Sequence, residues 1–184
     1  MGRKTLCLAI IVLFLCVIGW SMPLFAQIFG FWRGPVVQNN PPPTEFVIAR
    51  WHFSTNGRIG NMGWAHNYPE GEIHLNEFIG GVTKIDVDRM SFRIVNLGSD
   101  EVFRYPFALV SEPGEMELNP KEISNFREYV ERGGFVLIDD FDGPWQFDNF
   151  QRQIRQAFPD RELKRLTIDH PVFNTFYTIE SLTK

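Results

Sequence analysis

Two short apolar runs, Pro106–Ser111 (PFALVS) and Phe135–Ile138 (FVLI), flank the clearest helix signature in the chain. Asn119 stands where an N-cap belongs, with Pro120 at the first helical position and Glu122 two residues on, able to reach back to the cap. Ile123, Phe126, Tyr129 and Val130 form the apolar stripe, and Gly133-Gly134 closes the helix. A strand that is apolar along its whole length needs cover on both faces. A parallel sheet with helical crossovers provides that cover, and a half-solvated antiparallel sheet does not.

The rest of the body repeats the pattern. Glu45–Phe53 (EFVIARWHF) reads as the first strand, ended by the turn signal Ser54-Thr55-Asn56-Gly57. A glycine-punctuated loop runs to Pro69. Glu70–Val82 then carries Ile73, Phe78, Ile79 and Val82 at helical spacing, with acids in its first turn. Phe92–Val95 is a short strand. Phe147–Phe158 is a helix with Phe147, Phe150, Ile154 and Phe158 inward. Leu163–Ile168 is a last strand, stopped by Asp169-His170-Pro171. Strand and helix alternating in this way predict an α/β domain with a mostly parallel sheet, three layers deep, with right-handed crossovers placing helices on both faces.

The N-terminus has a different character. Arg3 and Lys4 precede Leu6–Ile18, an almost unbroken aliphatic run short for a bilayer span, which needs about 20 residues. Residues 1–26 are therefore expected to be a signal peptide or a transmembrane anchor helix, with cleavage left open. Arg3 and Lys4 stay in the cytoplasm, so the body faces outward, either periplasmic or membrane-anchored. Residues 27–43, ending in Pro41-Pro42-Pro43, read as a Pro-rich linker, and residues 44–184 as the domain.

Composition narrows the chemistry. The chain has 184 residues, enough for one domain, and a net charge of −4 that becomes −6 once Arg3 and Lys4 are set aside. With no basic patch, nucleic acid is not expected as a partner. The mean hydropathy of −0.14 excludes a polytopic membrane protein. Both cysteines, Cys7 and Cys16, lie in the N-terminal segment, so the body lacks disulfides, thiolate metal ligands and thiol nucleophiles.

In a parallel sheet, ligands bind outside the carboxyl ends of the strands. Those ends deliver His52, Ser54 and Asn56, then Ser111 and Glu112, then Asp139, Asp140 and Asp142, then Asp169 and His170. Turns favour Asp, Ser and Asn for local reasons, which weighs against any one of them. Asp139, Asp140 and Asp142 have the chemistry to ligate a hard cation, but their spacing is not that of an EF-type loop, and a structural role is the stronger reading. His170 beside Asp169 reads either as a carboxylate-paired base or as a turn residue, with the turn slightly favoured. Ser111 lacks the G-x-S-x-G elbow of a serine nucleophile. There is no P-loop, no G-x-G-x-x-G and no H-E-x-x-H, so no motif calls for a cofactor. Trp51, Trp64, Tyr68, Phe103, Tyr105, Trp145 and Phe147 suit sugar stacking, although core packing accounts for most of them.

Phe46-Val-Ile-Ala-Arg50, Trp64 with Tyr68-Pro69, Tyr105-Pro106-Phe107, Arg132-Gly-Gly-Phe-Val-Leu-Ile-Asp-Asp140, and Asp169-His-Pro-Val-Phe173 with Phe176-Tyr177 together resemble the bacterial domain-of-unknown-function family 4159. The resemblance runs from Phe46 to Ile179. It implies a flavodoxin-like sheet related to the class I glutamine amidotransferases, and it implies no particular activity. Those amidotransferases need a thiol nucleophile that this body lacks. The family pattern also continues past Asp-His-Pro into further strands, so 44–184 reads as a domain truncated at its C-terminus.

The expectation is a non-catalytic ligand-binding or assembly module of the envelope, held to the inner membrane by its N-terminal segment. Its partner would be an envelope protein or a small polar ligand. The rival is a hydrolase or carbohydrate-active enzyme using Asp140, Asp142 and His170, with or without a divalent cation, for which no motif speaks. A purely structural subunit is the third reading.

Overall fold

Alternation of side chains along parallel strands organises the molecule. The computed structural model describes residues 36–56, 63–175 and 177–181. The chain divides into two compact units, Met1–Val37 and Gln38–Lys184, and the second carries the fold. The segment expected at residues 1–26 lies outside the described residues. Among the described residues no helix is long and apolar enough to cross a membrane.

Strands β1 (Ile48–His52), β2 (Phe92–Asn96), β3 (Phe107–Ser111) and β4 (Phe135–Asp139) form a four-stranded sheet in the order β2-β1-β3-β4. Every pairing is parallel. Three α-helices are described, α1 (Glu70–Val82), α2 (Pro120–Glu131) and α3 (Pro144–Ala157). The chain is a mixed α/β protein with an all-parallel sheet.

Period-two alternation sorts β1 onto two faces. Ile48 joins Phe92 and Leu109 in a core with Phe46, Tyr68, Ile73, Leu75, Phe107 and Leu137 packed around it, on the side of α1. Trp51 points the other way and meets Phe126 and Tyr129 of α2 edge-on, with centroids 5.2 and 4.9 Å away. The expected capping box of α2 forms in full: the Asn119 side chain accepts from the N–H groups of Lys121 and Glu122, and Glu122 accepts from Asn119 N–H.

The segment before β1 guards one edge of the sheet. Gln38 uses both ends of its amide on Ile94, at 2.8 and 2.9 Å, occupying backbone groups that an edge strand leaves open. Asn39 donates to the carbonyls of Met90 and Phe92. At least Gln38 and Asn39 of the expected linker thus lie against β2.

Three local expectations are corrected. Leu163–Ile168 forms no strand, and Leu163 is 47% exposed. Its apolar residues, Leu163, Leu166 and Ile168, do not keep a period of two, so they cannot all share one covered face. Helix α3 begins three residues early, at Pro144, because proline suits N1 and Gly143 takes the positive φ of 80° just before it. Its inward face is also rotated from the apolar stripe. Phe147 is exposed, while Gln146, Asn149 and Gln153 are buried with Phe150 and Ala157. The amides turn inward because backbone groups await them: Asn149 donates to the Gly114 and Met116 carbonyls, and Gln153 accepts from Leu118 N–H. Helix α1 behaves alike, burying Glu72 and Asn76 while Phe78 and Val82 are exposed.

Arg50 lies in the middle of β1, 1% exposed. Its Nε donates to Glu72 of α1, itself fully buried, and Nη1 donates to the carbonyls of Trp64 and His66, both at 3.1 Å. Removing one member of a buried pair leaves the other charge uncompensated. Arg50→Met is expected to cost about 3–5 kcal/mol in urea unfolding. Arg50→Lys should also destabilise, since an ammonium lacks the planar fork that serves three acceptors at once.

Candidate functional site

Strand β1 leads to β2 on one side, and β3 and β4 build out on the other. The carboxyl ends of β1 and β3 therefore bracket a point where strand order reverses, where an open parallel sheet leaves a crevice. Three loops meet beside it. The loop after β1 contains a short 3₁₀ turn, Gly63–Ala65, followed by His66. Glu112 follows β3 and opens a second 3₁₀ turn, Pro113–Glu115. Asp140 follows β4.

These loops bring His66 between two carboxylates. Its Nδ1 lies 3.5 Å from Oε1 of Glu112, and its Nε2 lies 3.2 Å from Oδ2 of Asp140. One ligand atom from each of the three residues falls within 4.8 Å of the others. Glu112 is 5% exposed, and among the described residues its Oε2 has no hydrogen-bond partner. Glu115, close by and fully buried, has no partner for either carboxylate oxygen among the described residues. The described non-glycine residues with positive φ are Asn67 (56°), Glu112 (51°) and Asp140 (70°). Two belong to the cluster and the third follows His66. Asn and Asp adopt this conformation readily, but at Glu112 it costs on the order of 1–3 kcal/mol, and such strain concentrates where function requires it.

The fold holds each loop by a different device. Arg50 fixes the His66 carbonyl from below. Ser54 O accepts from Glu117 N–H and Asn56 N–H donates to Glu115 O, which ties the end of β1 to the turn after β3. Gly114 permits the approach of α3, because a Cβ there would stand 2.3 Å from Cβ of Gln146. A glycine is required by that contact.

Electrostatics follow from the crowding. Burial pushes the Glu112 carboxyl above its ordinary pKa, helped by Asp140 and Asp142 and opposed by His66. Burial also raises Asp139, with Arg50 pulling it down and Asp140 pushing it up. Burial lowers His52, against the pull of Glu122.

Of the residues singled out in the sequence, Glu112 and Asp140 meet in the cluster, and Asp139 and Asp142 lie near enough to act on them electrostatically. His52 packs its ring on Trp64, with centroids 4.4 Å apart, at the base of the His66 loop. Ser54 bonds Glu122 through N–H and hydroxyl. Ser111 is buried opposite Asp139 in the ladder. Asp169 and His170 serve a local turn: Thr167 donates to Asp169, and His170 Nδ1 accepts from Val172 N–H at 3.3 Å. Among the described residues no hydrogen bond or ion pair joins them to the cluster. His66 carried no motif to single it out. Arg50 did carry a signal, since a charge inside an apolar strand demands a buried partner.

A family model described as Domain of unknown function (DUF4159) matches residues 52–184, which contain the whole cluster. No curated protein matches the chain.

With Glu112 and Asp139 raised above their ordinary values of 4.5 and 3.8, the folded chain holds protons that the unfolded chain releases. Their contribution to stability is complete below those ordinary values and is lost as pH rises through the folded ones. Urea midpoints measured between about pH 4.5 and 7 should show a contribution that falls with rising pH. Glu112→Gln should flatten that dependence relative to the parent.

Proposed function

The chain belongs to the DUF4159 family, and on that premise we propose that it is a non-catalytic ligand-binding module whose seat is the His66, Glu112 and Asp140 cluster. The observation that carries this reading is the coincidence of left-handed backbone at Asn67, Glu112 and Asp140 with the crevice where strand order reverses. A fold that needed only stability would not hold Glu112 left-handed and buried to bring its carboxylate towards that of Asp140. The ligand is small, polar and positively charged, because the crevice gathers carboxylates and the nearby guanidinium of Arg50 is already tied to Glu72.

The finer fold assignment is a flavodoxin-like, class I amidotransferase-like domain. The strand order and the strained residue directly after β3 support it, since a nucleophile would stand at such an elbow. Here Glu112 occupies the elbow and the body has no cysteine, so thiol-dependent transfer is excluded. Residues 1–26 carry the module out of the cytoplasm and hold it at the inner membrane, and an envelope protein is the natural macromolecular partner.

A second reading, hydrolysis, draws on the 3.2 Å approach of His66 to Asp140, which suits a base oriented by a carboxylate. In that reading His66 takes the role the sequence offered to His170.

Thermal unfolding of the full chain in detergent, with glucosamine, putrescine and arginine as probes, separates these readings. A probe at about 100 times its Kd adds roughly 2.7 kcal/mol, worth several degrees. The shift should disappear in Glu112→Gln and persist in His170→Ala. Turnover abolished by His66→Ala would replace binding with catalysis, and a shift that survives Glu112→Gln would place the ligand elsewhere.

A further inference from the structure

We propose that His66, Glu112 and Asp140 bind one divalent transition-metal ion of the manganese, iron or zinc class, an inference that rests on the binding reading of the same site. Donor chemistry sets the class. Calcium and magnesium take oxygen ligands, whereas an imidazole nitrogen beside two carboxylates suits first-row transition ions. Distance permits it. Donor atoms about 2.1 Å from a common ion stand at most about 4.2 Å apart, so a set already within 4.8 Å needs only a small contraction.

Glu112 supplies the independent observation. Its side chain is buried beside His66 and Gln146, yet among the described residues Oε2 has no hydrogen-bond partner, and a buried acceptor left unsatisfied is costly. A cation between the three residues would satisfy that oxygen and offset the charge of both carboxylates. The three ligands come from three loops, after β1, β3 and β4, so the ion would also lock them together. His66 meets Glu112 with Nδ1 and Asp140 with Nε2, so one nitrogen would bind the ion and the carboxylate facing the other nitrogen would turn to share it. Arg50 acts as a positioning residue, holding the backbone of the His66 loop.

The test uses the full chain, stripped with chelator and titrated calorimetrically with Mn²⁺, which the thiols of Cys7 and Cys16 attract little. One equivalent should bind, with Ca²⁺ and Mg²⁺ at least about tenfold weaker. His66→Ala and Asp140→Asn should each weaken Mn²⁺ binding by about 100-fold or more, beyond what loss of an outer-shell partner costs. Asparagine tolerates the left-handed backbone at position 140, and His66→Gln gives a second variant at the half-exposed histidine. His170→Ala should bind as the parent does. No Mn²⁺ binding, binding unchanged in the cluster variants, or equal affinity for Ca²⁺ would overturn the inference. If Mn²⁺ fails but an organic cation still binds through Glu112, the metal assignment alone falls. If neither binds, the binding reading falls with it.

Discussion

Arg50 is the point at which the fold and the candidate site become one problem. A guanidinium in the middle of an apolar strand is tolerable only if its donors are used, and here they are shared between Glu72 on α1 and the carbonyls of Trp64 and His66. The first contact fixes the helix against the sheet. The other two fix the path of the loop after β1. Burial drives the Glu72 carboxyl upward against the pull of Arg50, so the pair is worth less as stabilisation than as a constraint on register. The His66 N–H, donating to the Gly63 carbonyl at 3.0 Å, completes the hold on this loop.

Above that anchor, polar side chains do work that apolar packing usually does. Asn76, Asn125 and Asn149 each donate from a helix to two carbonyls of neighbouring loops. These bonds fix irregular backbone with geometric precision that dispersion contacts lack. The turn after β3 gains most. Asn149 holds it from α3, Gly114 lets α3 approach, and Glu112 is thereby kept in a left-handed conformation with its carboxylate buried beside His66.

The same arrangement explains why two chemistries suggested by the sequence take a different form. Asp139, Asp140 and Asp142 are close in sequence but do not converge as one ligand set, because β4 ends at Asp139 and the left-handed Asp140 turns the chain out of the strand. Asp140 instead finds His66, 74 residues earlier in the chain, counting back from position 140. His170 and Asp169 close a local turn. Proximity in sequence was a poor guide to proximity at the strand ends, where loops of unlike length meet.

Much of the architecture was legible from the residues. The apolar run of β3 marked a strand covered on both faces, and Asn119-Pro120 with Glu122 specified the start of α2, because those signals act within a few residues. The equally apolar β4, expected to be buried, lies at the sheet edge with Phe135 59% exposed. The absence of cysteine from the body settled what chemistry is unavailable. Helix orientation was less legible: apolar periodicity placed Phe147 inward, whereas α3 and α1 face inward with amides that satisfy distant backbone groups and with Glu72, which pairs with Arg50. The cluster itself was half legible, with Glu112 and Asp140 marked as strand-end residues and His66 not. Local sequence determines capping, strand character and composition because their energies are local. Only the tertiary structure decides that His66, Glu112 and Asp140 meet, because that depends on strand order and on Arg50 reaching across to a loop of which neither its own strand nor its neighbours in sequence give notice.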